Sequence, residues 1–454
     1  MIKSKKMLNK NERKSTIIFI QFIKTIFLVF LLYYLFNELN KNNIYFHYSN
    51  TSLKNKIKIG IYISSLNNGG IERFTSLLLF YFNKVPFFQL IVFSLVEKQE
   101  DEYEINENIE RIVVKNNLIE LVNEKQIQIL IYQYYEPNEI NELNNLTNTK
   151  TIFINHSCFL HWFYYKLYYR LNTLYTSYKN CKYVISLVPF ENYYLFKKWG
   201  ITSILMNNFI TYDINSIIPS DLSSNIILMI GRGDDPIKRF GLGIYSMVYI
   251  IKEIPNCQMK IISKKDNINN LIYLVSNLNL INNINFEGYN TNPAIYFKNA
   301  SLHLFPTLVE AFPNVLSETL IYGIPNIVCG LDYVTLSDKG TVIVYDDSPI
   351  TIAKAAIKIL KNKIYRNYLG REARKMMRKY KNKKILEKWI YLILSINEGK
   401  NYYEKFREKD KKIDEEKARI IINNQLKLLQ MRNEEYKNIT IKDIENITFL
   451  ENLK

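Results

Sequence analysis

Short runs of apolar, β-branched and aromatic residues alternate with longer stretches of helical length over most of this 454-residue chain. Short apolar runs bounded by polar residues are typical of strands, and the stretches between them are long enough for crossover helices. Regular alternation of strand and helix indicates parallel sheets that are covered on both faces. The sequence therefore predicts an α/β protein.

The predicted strands fall into two series, with a break near residues 208–224. Two series indicate two Rossmann-like domains that face a central cleft, and ligands of such sheets bind beyond the carboxyl ends of the strands. We expect an N-terminal domain over residues 56–215 and a C-terminal domain with a crossover helix over residues 216–400. The predicted strands cover residues 58–64, 90–95, 127–132, 151–155 and 183–188, then 225–230, 258–262, 283–286, 302–305, 326–329 and 341–345.

The formal charge of +17 is concentrated in two segments. Residues 1–14 carry a net charge of +5, and residues 354–388 carry fourteen Lys or Arg against two Glu. A nucleic-acid-binding protein usually carries a basic face across its folded domain, whereas the remainder of this chain is electrically balanced. We therefore expect no nucleic-acid partner. Residues 354–388 fit either a solvated helical face or a patch for anionic lipid.

Residues 17–36 form an apolar stretch interrupted only by Gln21, Lys24 and Thr25. Twenty helical residues span about 30 Å, the thickness of a bilayer core. The stretch predicts one uncleaved transmembrane helix after a basic cytosolic tail (1–16) and before a stem (37–55), with a cleaved signal or a buried helix as alternatives. We therefore expect the protein to be held at a membrane. If the cell is eukaryotic, the folded body is expected on the lumenal face of the Golgi or ER, with the cytosolic face as the alternative.

Residues 305–325, FPTLVEAFPNVLSETLIYGIP, combine a loop and a helix with marked ends. Pro313 is expected at the first helical position, and Gly323 is expected at the stop. The amino end of this helix would face the cleft and supply free amides for a phosphate. Glu310 and Glu318 would reach different parts of one ligand, because a carboxylate accepts two hydrogen bonds from paired hydroxyls.

This Glu-x7-Glu stretch resembles the signature of retaining family 4 glycosyltransferases of the GT-B fold, and the resemblance extends over most of residues 57–400. It implies that Glu310 contacts the donor sugar and that Glu318 binds the nucleotide ribose. Substrate contacts are expected at Phe312, Asn314 and Val315 around the helix start. The chain departs mildly from the family, with Glu-Thr-Leu where Glu-Ala-Met is usual.

A second match follows the strand at 225–230. The family carries an Arg and a Lys with the spacing of Arg232 and Lys238, which hold the donor diphosphate. Fixed cations stabilise a leaving group that gains charge as the bond breaks. Arg239 stands where the family often has Gly, so either Lys238 or Arg239 is the contact.

Two further candidates lie in the N-terminal series. Gly69 and Gly70 precede a helix and let the backbone approach a ligand closely, and they resemble the family's Gly-Gly-x-Glu-Arg loop at donor phosphate and acceptor. His156 follows the strand at 151–155, where the family carries a His that faces the donor sugar. His161 is the alternative to His156.

No metal or other cofactor is expected. Asp234-Asp235 and Asp346-Asp347 are adjacent pairs, typical of turns and caps, and GT-B enzymes generally need no metal because cations and helix dipoles replace it. The four cysteines show no metal-ligand spacing. Either all four are buried thiols or Cys158 and Cys181 form one disulfide.

Three further segments carry no motif for catalysis or donor binding. The aromatic residues 159–170 fit an interfacial helix for membrane or lipid-linked acceptor, or a core helix. Trp389 is expected in a last helix that crosses back onto the first domain. Residues 401–454, with twelve basic and eleven acidic residues, predict a charged helical or coiled-coil appendage.

The expected function is a membrane-anchored glycosyltransferase that moves a hexose from a nucleotide-diphosphate sugar to a hydroxyl of a glycan or lipid-linked acceptor, with retention. Glu310, His156, Arg232 and Lys238 are the expected catalytic residues. A non-catalytic anchored scaffold and a sugar-nucleotide epimerase are the alternatives, although retention of Arg232, Glu310 and Glu318 together argues against a scaffold.

Overall fold

The computed structural model describes residues 56–67, 69–115, 117–233, 235–264, 268–290, 292–400 and 415–446. The predicted tail, anchor and stem therefore lie outside the described residues, as does Asp234. Within these described ranges no helix is both long and apolar enough to cross a membrane.

The first sheet has seven strands in the order β3-β2-β1-β4-β5-β6-β7, and every pairing in it is parallel. Six of the seven residues of β1 are buried, as expected for a central strand covered on both faces. The strands are β1 Ile57–Ile63, β2 Phe88–Ser94, β3 Glu110–Val113, β4 Ile129–Tyr132, β5 Lys150–Asn155, β6 Val184–Ser186 and β7 Ser203–Leu205.

The second sheet has six parallel strands in the order β10-β9-β8-β11-β12-β13. The order reverses at β8, so the loops after β8 and β11 leave the sheet side by side, where ligands of such sheets bind. The strands are β8 Ile226–Ile230, β9 Gln258–Ile262, β10 Ile284–Phe286, β11 Leu302–Phe305, β12 Asn326–Cys329 and β13 Thr341–Val344.

Helices connect the strands and cover both sheets. A π-helix at Glu191–Leu195 leads directly into α6. The α-helices are α1 Gly70–Phe82, α2 Leu118–Glu124, α3 Pro137–Asn144, α4 Phe159–Tyr164, α5 Leu171–Lys179, α6 Phe196–Lys198, α7 Phe240–Glu253, α8 Asn269–Asn277, α9 Ala294–Phe297, α10 Asn314–Ile321, α11 Pro349–Lys361, α12 Lys363–Met377, α13 Asn382–Asn397, α14 Glu415–Arg432 and α15 Ile441–Glu445.

The α/β class with two parallel sheets is confirmed, and the eleven predicted strands are present with ends shifted by at most two residues. Two strands were missed, β3 and β7. Both lie at an edge of the first sheet, and β7 has only three residues. No residue of β3 is fully buried, so its sequence lacks the apolar run that marks the other strands.

Helix α13 crosses from the second sheet back to the first, as predicted around Trp389. Trp389 is fully buried and packs edge-on against Phe82 of α1, with ring centroids 5.6 Å apart. Lys388 Nζ donates to Leu205 O of β7 at 2.6 Å.

Residues 415–446 are helical, as predicted, but they are part of the packed body rather than an appendage. Helices α14 and α15 pack onto the body, with Ile422 and Leu429 buried against it. The mixed charge of this segment favoured a solvated appendage, whereas Ala418, Ile422, Leu426 and Leu429 recur at helical spacing and face the body.

In the aromatic segment 159–170, helix α4 (Phe159–Tyr164) fits the core-helix alternative, whereas Tyr169 is exposed. Phe159, Leu160, Trp162 and Phe163 of α4 are all buried. All four cysteines are buried thiols, so the conceivable Cys158–Cys181 disulfide is absent from the described residues.

Candidate active site

A cavity of about 700 Å³ lies where the carboxyl ends of the two sheets face each other. The loops after β1 and β5 line it from the first sheet, and the loops after β8 and β11 line it from the second. Parallel strands end at one edge of a sheet, which is why these loops meet. All the predicted site residues line this cavity: Gly69, Gly70, His156, Arg232, Lys238, Glu310, Phe312, Asn314, Val315 and Glu318.

The loop after β8 supplies two cations. Lys238 Nζ forms an ion pair with Glu310 Oε1, and about four fifths of each side chain is removed from solvent. Arg232 Nη2 lies 2.7 Å from Asp235 Oδ2, but two thirds of the Arg232 side chain stays exposed toward the cavity. Arg232 is therefore positioned to meet an incoming anion, whereas Lys238 first has to leave Glu310.

The structure distinguishes Lys238 from Arg239, which the sequence left open. Arg239 has a left-handed backbone conformation (φ 49°) that turns its side chain away from the cavity. Its Nε donates to Pro306 O at 2.7 Å, and its Nη1 lies 2.6 Å from Asp347 Oδ2. Lys238 is the residue in the site, and Arg239 holds the loop that carries it.

Helix α10 points its amino end at the cavity. It begins at Asn314, one residue later than predicted, and Pro313 precedes it. Pro313 fits there because its fixed φ prepares the chain for the helix. The N–H groups of the first turn have no acceptor within a helix, so they are available to an anion. Gly323 adopts φ +71° just beyond the end, as expected for a helix stop.

Glu318 lies on α10 with its carboxylate buried at the cavity wall. Thr211 Oγ1 donates to Glu318 Oε1 at 2.7 Å. Burial raises the pKa of Glu318, while the nearby Arg73 charge and the Thr211 hydrogen bond act in the opposite direction. A buried acceptor of this kind binds hydroxyl donors well, because desolvation strengthens each hydrogen bond.

Gly69 and Gly70 open helix α1 beside α10. A Cβ on Gly69 would lie 1.9 Å from Glu72 Oε2, because the Glu72 side chain folds back over Gly69. A Cβ on Gly70 would meet no described atom within 4 Å, so the cavity reaches the backbone there. Asn314 Nδ2 donates to Gly70 O at 3.3 Å and connects the two helix starts.

His156 follows β5 and is held from both sides. Its ring packs edge-on against Phe74, with centroids 4.8 Å apart. Nε2 donates to Gln133 Oε1 at 2.9 Å, and the Gln133 amide in turn donates to Thr75 Oγ1 at 2.9 Å. Burial lowers the pKa of His156 to about 3, so the imidazole is neutral at physiological pH. It offers the cavity a hydrogen-bonding group without a charge.

His161, the alternative to His156, also lines the cavity. Burial lowers the pKa of His161 to about 4. Its ring lies 4.5 Å from the Tyr165 ring, and Tyr165 OH donates to Asp235 Oδ1 at 2.9 Å. Helix α4 thus touches the loop that carries Arg232.

Sequence reasoning missed four residues of the site. Gln133 positions His156, Thr211 binds Glu318, and Arg73 lies 4.9 Å over the Tyr103 ring at the cavity wall. Two of them carried a signal in the sequence: Arg73 is the last residue of the Gly-Gly-x-Glu-Arg loop, although no separate role was given to it, and Gln133 is the polar residue that directly follows the apolar strand β4. The other partners come together through contacts between distant segments.

In the part of the chain that the structure describes, no group of three or more His, Cys, Asp or Glu side chains is placed to hold a metal ion. Asp235 is engaged by Arg232 and Tyr165, and Asp347 by two arginines. Asp346 accepts from Thr351 Oγ1 at 2.8 Å. The site instead offers two cations and helix amides for an anion, with carboxylates and a neutral imidazole for hydroxyl groups.

Two sequence comparisons match part of this chain, and the family model covers the second sheet. Residues 213–376 match the family model for glycosyl transferases group 1. A stretch of 170 residues is 26% identical to the poly(glycerol-phosphate) alpha-glucosyltransferase of Bacillus subtilis (strain 168). That match covers 36% of this chain and a quarter of the relative's length. Both matches support a glycosyltransferase as the class of enzyme.

Solved structures with a similar fold cover both sheets. Sucrose-phosphate synthase from Thermosynechococcus elongatus has a TM-score of 0.62 at 17% identity, over 75% of this chain and 99% of that one. Alr3699/HepE from Anabaena, solved in complex with UDP and glucose, has a TM-score of 0.60 at 13% identity, over 75% of this chain and all of that one. Two parallel sheets around a central cleft are thus shared with these proteins.

Proposed function

We propose that this chain is a retaining, family 4-like glycosyltransferase that moves a hexose from a nucleotide-diphosphate sugar to a hydroxyl acceptor. The observation that carries the proposal is the set of groups at one end of the cavity. Arg232, Lys238 and the start of α10 converge there with Glu310 and Glu318, at the carboxyl ends of the second sheet. Cations and amides suit a diphosphate, and carboxylates suit sugar and ribose hydroxyls.

Different residues bind different parts of the donor. Arg232 and Lys238 bind the diphosphate, together with the amides of α10 at Asn314 and Val315. Glu318, held by Thr211, accepts from the ribose hydroxyls. Glu310 lies beside Lys238 and accepts from the hexose, which places the sugar next to its leaving group. The neutral His156 faces the hexose from the first sheet.

In the transfer, the bond between the anomeric carbon and the diphosphate oxygen breaks, and the diphosphate gains charge. Arg232 and Lys238 stabilise that charge most in the transition state, where it is largest. The acceptor hydroxyl attacks the anomeric carbon from the face that the diphosphate leaves, and a phosphate oxygen takes its proton. Such a route needs no strong protein base, which agrees with the low pKa of His156.

The acceptor is proposed to be a glycan or a lipid-linked hydroxyl compound, and the chain is proposed to be held at a membrane by residues 17–36. The apolar length of that stretch and the basic residues before it support the anchor. Poly(glycerol-phosphate), the polymer named in the matched relative, is a sensible first acceptor to test.

A donor screen tests the function. Purified full-length protein in detergent is incubated with each common UDP- and GDP-sugar, and release of the nucleoside diphosphate is measured with and without poly(glycerol phosphate). We expect one donor to be turned over by the wild type and not by Arg232→Ala. Proton NMR of the product then gives the anomeric configuration, and inversion would contradict retention. Equal turnover of every donor by wild type and variant would overturn the proposal.

A further inference from the structure

Residues 415–446, named here the C-terminal strap, contact both sides of the cleft. We refer to residues 57–205, which carry the first sheet, as the N-half and to residues 226–347, which carry the second sheet and the loop after β13, as the C-half. The predicted site residues are divided between these halves, so their relative position determines the geometry of the cavity.

On the C-half, the strap packs against the loop after β12. Gln425 Nε2 donates to Gly330 O at 2.6 Å and to Asp332 Oδ1 at 2.7 Å. Gly330 has φ +68°, and a Cβ there would lie 2.6 Å from Leu428 Cδ1. One of the 14 glycines of the chain therefore stands where Leu428 of α14 lies close to the backbone of this loop.

On the N-half, the strap binds the helices behind the His156 loop. Tyr436 OH donates to Phe163 O of α4 at 2.9 Å, and its ring packs edge-on against the Phe163 ring. Trp199 Nε1 donates to Ile444 O of α15 at 3.1 Å. Tyr436, Trp199 and Ile444 are all buried, so the strap is part of the packed interior on the N-half as well.

Arg432, at the end of α14, joins the two sets of contacts. Its side chain is only 9% exposed. Nη1 donates to Tyr164 OH of α4 at 2.7 Å, while Nε and Nη2 lie 2.8 and 3.1 Å from the two carboxylate oxygens of Asp347. Asp347 also pairs with Arg239, so one carboxylate is shared by two guanidinium groups.

We propose that the C-terminal strap holds the two halves of the cleft together, and that Arg432 is a positioning residue for sugar transfer. Arg432 touches neither cavity wall. It acts through Tyr164, three residues after His161, and through Asp347 and Arg239, which is adjacent to Lys238. The catalytic part of this proposal rests on the proposed function, whereas the bridging part does not.

The chemistry of Arg432 explains why an arginine is needed. A guanidinium has donors in a rigid planar fork, so it binds both oxygens of a carboxylate and still directs a third donor elsewhere. A lysine carries a point charge and holds Asp347 or Tyr164 less specifically. Removal of Arg432 also leaves its partners in a partly buried place, which is costly.

Hydrogen–deuterium exchange of the full-length protein tests the bridge without any need for activity. Arg432→Met keeps the length of the side chain and removes its donors, and Arg419→Met is the matched control on an exposed position of the same helix. We expect Arg432→Met to speed exchange in residues 159–168 and in residues 330–347, on both halves, while β1 and β9 keep their protection. Unchanged exchange, or a change in only one half, would overturn the bridge.

Asp347→Asn provides a second test in case Arg432→Met is too unstable to purify. This change leaves Tyr164 in place and weakens the ion pairs of Asp347 with Arg432 and Arg239, both of which lie on the C-half side. If Arg432 couples the halves, exchange must rise around Tyr164 as well as around residue 347. A rise confined to the C-half would count against the coupling.

Kinetics test the positioning role. Nucleoside diphosphate binding depends mainly on the C-half, whereas transfer needs both halves. Arg432→Met should therefore leave the Kd and stoichiometry of UDP or GDP within about twofold and lower kcat on the order of tenfold. If Arg432→Met only caused part of the protein to misfold, the binding stoichiometry would fall together with kcat. Faster exchange with an unchanged kcat would remove the positioning role, and if the wild type transfers no sugar the exchange data still decide the bridge.

Discussion

Lys238 and Glu310 form an ion pair across the mouth of the second sheet, one from the loop after β8 and the other from the loop after β11. A diphosphate that binds Lys238 must compete with Glu310 for the ammonium group. The pair thus keeps Lys238 in place before a donor binds, and it lowers the affinity for a bare anion. A donor sugar that offers hydroxyls to Glu310 compensates for the pair that it breaks.

Glu310→Gln separates these two effects. We expect it to tighten binding of free UDP or GDP several-fold, because Lys238 no longer has a charged competitor, a change of about 1 kcal/mol. The same variant should lower kcat for transfer by tenfold or more, since the hexose loses its carboxylate. Calorimetry gives the first quantity and turnover the second. Weaker binding of the bare nucleotide by this variant would contradict the competition.

Glu318→Ala and Arg232→Ala should affect different kinetic constants. Glu318 is expected to meet ribose hydroxyls that hardly change during the reaction, so its loss raises the donor KM. Arg232 meets charge that develops as the bond breaks, and its loss should lower kcat on the order of 10²–10³. Thr211→Val, which removes only the hydrogen bond to Glu318, is the graded control. Equal effects of both alanine variants on kcat alone would contradict this division.

Glu191 gives the stability a pH dependence. It is fully buried beneath α4, where its carboxylate accepts from Phe159 N, and burial raises its pKa to about 8 from an ordinary 4.5. Between these values the unfolded chain has lost a proton that the folded protein keeps, so the free energy of unfolding falls as pH rises, by about 1.4 kcal/mol per pH unit.

Glu191→Gln should remove that slope. The difference in unfolding free energy between variant and wild type is expected to grow in favour of the variant from pH 4.5 to 8 and then level off. Urea titrations at four pH values measure it. A difference that is constant across this range would show that Glu191 is ionised in the folded protein.

Activity is expected to survive chelation. Two cations and the amides of α10 face the proposed diphosphate site, so positive charge is available there without Mg²⁺ or Mn²⁺. Excess EDTA should leave most of the initial rate with whichever donor is found. If EDTA abolished turnover and Mn²⁺ restored it, Asp235 or Asp346 would have to be reassigned, and the placement of the diphosphate would need revision.

Local sequence patterns were enough to predict the two parallel sheets and the loops that form the site. Strands buried on both faces need continuous apolar runs, and Gly, Pro, Arg and Glu at strand ends mark the loops, so local patterns suffice for both. The resemblance of these loops to a known glycosyltransferase family then pointed to Arg232, Lys238, Glu310 and Glu318. The missed edge strands β3 and β7 are short, and such strands carry too little pattern.

Which side chains contact one another depends on the tertiary structure. Arg239 turns away from the cavity and leaves Lys238 there, because its backbone is left-handed and its side chain pairs with Asp347, 108 positions after Arg239. Gln133 beside His156, Thr211 beside Glu318 and Arg432 across both halves are likewise contacts between distant segments. Such contacts depend on how packed elements meet, and local sequence patterns carry no information about partners that far apart.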